Sequence, residues 1–219
     1  MTARGSGPRG SAVVLMVIAA ALALGGCGSD DGGATSSPTP SVQTASWAQE
    51  VVTGEKLWQA SNDGLTLTAY VMGEDTAEQD ALYFDDVTNE PLVAKGDRIL
   101  FVNLVLTNTG DETRYIATDQ PKLLAAPAES PYTQQGVAEI TYASDDQWRE
   151  HDVWYHTVRL GSGQSSPYPL APGERCARGY ILPLSLGLEW GFVGAVWVYA
   201  GTDDSGRSVT FEPQSHTFT

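Results

Sequence analysis

The sequence predicts an all-β domain, an antiparallel sandwich of about seven to nine strands. Three observations carry that expectation. Helical periodicity is nearly absent from residue 47 onward. Runs of β-branched and aromatic residues recur there instead, separated by Gly, Asn, Asp and Pro. No alternation of strand and helix patterns announces a parallel sheet. Residues 47–219 suffice for one domain with a single core, burying ~70% of the surface exposed by the unfolded chain.

The elements follow in chain order. "DGLTLTAYVM" sets Leu65, Leu67, Ala69 and Val71 on one face and Thr66, Thr68 and Tyr70 on the other, which is a half-buried strand. Residues 73–96 are acidic and aperiodic and predict a long surface loop. "RILFVNLVLTN" alternates Leu100, Val102, Leu104 and Leu106 with Ile99, Phe101, Asn103 and Val105. Apolar on nearly both sides, it predicts a central strand. Asn108-Thr109-Gly110-Asp111 turns the chain, and "RYIAT" continues as a strand. Ser144 and Gln147 have capping-box spacing around Asp145 and Asp146, which predicts a short helix over 145–152. "VWYHTVRL" then resumes as a strand, with His156 partly buried beside Trp154, Val158 and Leu160. After the turn "LAPGE", "RGYILPL" is a strand whose Pro183 marks an edge or an end. "FVGAVWVYAG" and "SVTFEP" flank "TDDSGR" as the last hairpin, with Val209 and Phe211 facing inward.

The N-terminus has a different logic. Arg4 and Arg9 precede the wholly apolar stretch Ala12–Leu24. As a helix that stretch rises only ~20 Å, short of the ~30 Å hydrocarbon core of a bilayer, and describes an export signal. Leu24-Gly25-Gly26-Cys27 resembles the lipobox of bacterial lipoproteins. The resemblance implies a signal peptide over residues 1–26, lipidation of Cys27, and a mature chain held on the outer face of the cell membrane. Residues 27–46 are small, polar and Pro-bearing and form a flexible spacer. With Cys27 lipidated, Cys176 has no intramolecular partner, so it is a buried small hydrophobe, a reactive thiol or an intermolecular partner.

"KGDRILFVNLVLTNTGDE" and "PLAPGERCARGYILPL" resemble a group of immunoglobulin-like domains in Gram-positive and actinobacterial extracellular lipoproteins, over roughly residues 57–211. That resemblance implies an immunoglobulin-like sandwich and gives Asn108-Thr109-Gly110 a structural turn. It implies no activity.

Chemistry is sparse. The net charge of −15 excludes nucleic acid as an expected partner. Nucleophile-elbow, zinc-protease, phosphate-loop and Cys-x-x-Cys motifs are absent. His151 and His156, five positions apart, point to different sides of a strand or a helix and do not share a metal. An alternative metal-handling reading (calcium, zinc or copper) would draw on Asp85, Asp86, His151 or Cys176. The favoured reading is a non-catalytic, monomeric lipoprotein domain without a cofactor, presenting a surface to an envelope protein, a glycan or a small ligand. An unrecognised hydrolase is the third class. The expected binding surface is the long segment 128–152 and its neighbours, with Trp148 as anchor beside Tyr142, Trp154 and Tyr155. The competing expectation is that Trp148 folds back to cap the core.

Overall fold

A computed structural model describes residues 42–81, 91, 93–127, 143–163, 165–184, 189–201 and 205–219. Cys27, Asp85, Asp86 and Tyr142 lie outside the described residues. The fold is an all-β sandwich of two sheets. Among the described residues it has eleven strands and one short helix, more strands than expected because several are only two to four residues long.

The first sheet contains β1 (Gln43–Thr44), β2 (Glu55–Asn62), β3 (Leu65–Thr76), β4 (Arg98–Asn108) and β8 (Glu174–Pro183), in the order β1-β8-β4-β3-β2. All its neighbours are antiparallel except β1, which pairs parallel with β8. The last part of the expected spacer is therefore sheet, and Ala45 just after it is buried. β4 is central, as its two apolar faces require. Leu100, Val102, Leu104 and Leu106 enter the core between the sheets. Ile99, Phe101 and Val105 lie on the opposite face and are equally buried.

The second sheet is organised around β9 (Glu189–Tyr199). On one side β9 pairs with β10 (Gly206–Thr210) and then β11 (Gln214–Thr217). On the other it pairs with β5 (Arg114–Ile116) and then β6 (Lys122–Pro127), while β7 (Tyr168–Leu170) adds to β5. Every second residue of β9 faces inward: Trp190, Phe192, Val196 and Val198 are buried with Val209 and Phe211. Gly194 holds the remaining inward position because a Cβ there would lie 2.1 Å from Leu67 Cδ2. The sheets meet too closely at that point for any side chain.

Two expectations need correction. Residues 73–76 are not loop. They continue β3 past an extra residue, Met72, which shifts the pairing between Val71 and Gly73. Without that bulge Asp75 would share the inward face of Leu65, Leu67 and Ala69. With it, Gly73 and Asp75 lie opposite Phe101 and Ile99, on the outer face. Beyond the strand, Ala77, Ala81 and Val93 are buried as well. The second correction concerns residues 153–160, which are not a strand. Val158 forms an isolated bridge with Ala48, and the segment instead covers the free edge of β8, with Gly179 N donating to Trp154 O at 2.7 Å. A covered edge is protected from pairing with other chains.

The predicted helix is α1 (Asp145–Glu150), with both halves of the Ser144–Gln147 capping box formed. No helix among the described residues is long and apolar enough to cross a membrane.

Candidate functional site

α1 sits on the outer face of the first sheet, and it takes the expected aromatic residues into packing. Trp148 is 7% exposed and meets Phe101 edge-on with ring centroids 5.3 Å apart. Tyr155 lies against the same indole at 6.0 Å. A Cβ on Gly179 would approach Val153 to 2.1 Å and the Trp148 ring to 2.9 Å, so the strand below is shaped to receive them. Trp148 therefore caps the core. The reading of it as a solvent-facing anchor gives way, because Phe101 on β4 offers an apolar surface that water would otherwise cover. Trp154 remains partly exposed.

His151, just after α1, stacks on Phe101 at 4.1 Å, and its Nε2 lies 3.5 Å from Asp75 Oδ2. Gly73 is the residue that admits this ring. It has φ +154°, and a Cβ there would be 2.5 Å from His151 Nδ1. Asp75 also accepts from Gln147 Nε2 at 2.9 Å and from the Thr76 amide at 2.7 Å. The Gln147 amide above all, then the Thr76 amide, holds the Asp75 carboxyl below its usual range. This is a polar clasp that ties α1 to β3. Among the described residues no three metal-ligating side chains converge, and His151 meets the single carboxylate of Asp75.

His156 is exposed rather than partly buried, with Nδ1 3.7 Å from Asp119 Oδ1. Cys176 is fully buried among core residues. Burial pushes its thiol up, so the reactive thiolate is suppressed.

A more open feature lies on the outer face of the second sheet. Opposite Trp197, the strand beside β9 is interrupted: β5 has ended at Ile116 and β6 begins at Lys122. The Trp197 amide would be left without a strand partner, and Gln120 Oε1 accepts from it at 3.1 Å. The interruption leaves a groove of ≈ 390 Å³, lined by Ala117, Gln120, Lys122, Ala195, Trp197, Tyr199 and Ser208.

The linker carrying Gln120 is held from the first sheet. Arg178, 4% exposed on the inward face of β8, donates through Nη1 to Asp119 O at 2.8 Å and through Nε to Tyr155 O at 3.3 Å. Its guanidinium lies over the rings of Tyr155 and Tyr180, at 5.1 and 5.3 Å. That placement replaces lost hydration with carbonyl dipoles and aromatic faces. Tyr180 Oη donates to Pro121 O at 2.7 Å, and Thr157 Oγ1 donates to Gln120 O at 2.6 Å. Gln120 is thus set by a buried network reaching across the sandwich.

Sequence reasoning placed β9 but missed this groove. The alternation in "EWGFVGAVWVY" puts Trp197 on the face opposite Trp190, Phe192 and Val198, among small neighbours, and that signal was readable. The gap between β5 and β6 was not, since it depends on which strands β9 pairs with. No protein-family model, no curated protein and no solved structure matches this chain.

Proposed function

We propose that this chain is a membrane-anchored extracytoplasmic lipoprotein, tethered by lipid on Cys27, whose sandwich is a non-catalytic binding domain. The lipobox-like Leu24-Gly25-Gly26-Cys27 and the polar spacer after it support the anchoring. The observation that carries the binding role is the groove beside Trp197. An indole 41% exposed, set in a depression with an unpaired Lys122 among the described residues, is apolar and polar surface that folding has not used. An exposed aromatic of this kind is where binding energy concentrates.

Two experiments test the two halves. Cys27→Ala is expected to release the protein into the medium or leave it unprocessed; a variant that stays membrane-bound and is still cleaved before residue 27 refutes lipidation. For binding, a photo-crosslinking amino acid replaces Tyr199, which lines the groove and leaves the indole in place, and, as a control, exposed Ser61 on β2, both in intact cells. Adducts at 199 that are missing at 61 support the groove. Equal yields at both positions refute it.

A further inference from the structure

Resting on that binding role, we propose that the Trp197 groove is a carbohydrate site that takes a pyranose ring stacked on the indole. Gly206 supplies the first part of the argument. Its φ is one any residue adopts, but a Cβ there would lie 2.4 Å from Trp197 Nε1 and 3.0 Å from Cε2. The glycine therefore leaves room for the indole, whose pyrrole atoms reach across β10 to it. With 41% of its surface exposed, the indole still offers apolar area to a ligand.

The second part is the polar rim. Ser208 stands directly opposite Trp197 on β10, and Lys122 directly opposite Ala195 on β6, so hydrogen-bonding groups stand on both flanks of the indole. Gln120 is 5% exposed, with its Oε1 committed to the Trp197 amide. Its Nε2 has no acceptor among the described residues and keeps solvent contact where the side chain lines the groove. A carboxamide donor that opens onto the groove in this way can donate to a ligand there in place of water.

These features select among ligand classes. An apolar peptide side chain would fill the indole face but make no use of the Gln120 and Lys122 donors. A quaternary ammonium suits an aromatic face, yet the Lys122 charge at the rim repels it. A polyanion is opposed by the net charge of −15. A pyranose offers an apolar C–H face for the ring and hydroxyl oxygens around its edge for the donors. It meets both demands together.

The test is affinity electrophoresis of the full chain in a polyoxyethylene detergent, through native gels cast with dextran, mannan, mixed-linkage β-glucan or glycol chitin. Retardation is expected in at least one gel. Trp197→Ala should weaken it at least about tenfold. Gln120→Glu keeps the oxygen that serves the Trp197 amide but loses the donor, and should weaken it about three- to tenfold. Leu160→Ala, altering an exposed apolar side chain away from the groove, should leave it unchanged. Free migration in all four gels overturns the sugar assignment, and so does retardation that survives Trp197→Ala. The crosslinking result separates the two proposals: adducts at 199 without retardation leave a binding face whose ligand is not a pyranose, whereas loss of both removes the binding role as well.

Discussion

The outer faces of the two sheets are built from similar residues and treated oppositely. On the first, Phe101, Ile99 and Met72 are covered by Trp148, Val153 and α1, with the Asp75–Gln147–His151 clasp holding the cover in place. On the second, Trp197 and Leu124 remain 41% and 44% exposed. Glycine is used on both faces for the same steric reason and to different ends. Gly179 lets a tryptophan be buried, while Gly206 makes room for one that stays accessible. Exposed aromatic area is thus a property of how the chain is routed over each sheet, and the tryptophans themselves do not announce which is which.

The sharpest way to break the comparison is to truncate one tryptophan on each face. Trp148→Ala should cost ~3–5 kcal/mol, because it removes the covering ring and leaves a cavity over Phe101. Trp197→Ala should change stability by less than ~1 kcal/mol. Thermal melting of the two variants decides it, and equal losses would mean that both indoles serve the fold. Leu104→Ala, fully buried between the sheets, belongs with the large effects at ~2–5 kcal/mol.

The glycines sharpen the same contrast. Gly179→Ala should destabilise by ~1–3 kcal/mol, since the new methyl meets Val153 and Trp148 where both are packed. Gly206→Ala meets only the edge of an exposed indole and the Val198 carbonyl. It should cost less than Gly179→Ala and register mainly as a change in the near-ultraviolet circular dichroism of Trp197.

A smaller effect depends on pH. Because the folded Asp75 carboxyl is held below the ordinary ~3.9, its contribution is complete above that value. It is lost as pH falls through ~3.9 toward the folded pKa. The melting-temperature gap between the native chain and Asp75→Asn should shrink as pH falls below ~4. Smallest of all, Thr66→Ala should stay within ~0.5 kcal/mol. Its hydroxyl pairs with those of Ser61 and Thr109 at an exposed site.

Strand alternation made most of the sandwich readable in advance. Leu65, Leu67 and Ala69 all enter the core, and so do Val209 and Phe211. The two apolar faces of β4 announced a strand covered on both sides. The Ser144–Gln147 pair announced α1 within two residues of its end. What misled was local pattern without knowledge of neighbours. Residues 153–160 alternate like a strand, yet they meet β8 where a single backbone bond is made, from Gly179 to Trp154. The acidic stretch after Val71 reads as loop because no local signal marks the Met72 bulge, whose effect is to move Asp75 from the core face to the outer one.

By itself, then, the sequence determined the class of fold, the inward face of each long strand and the capped helix, because side-chain direction along a strand and capping around a helix end are short-range consequences of backbone geometry. Only the tertiary structure decided which tryptophan is core and which is surface. Trp148 is buried because Phe101 and Gly179 lie beneath it, whereas Trp197 stays 41% exposed on a face where Leu124 is 44% exposed too. Both facts join residues dozens of positions apart, and no window of local sequence contains them.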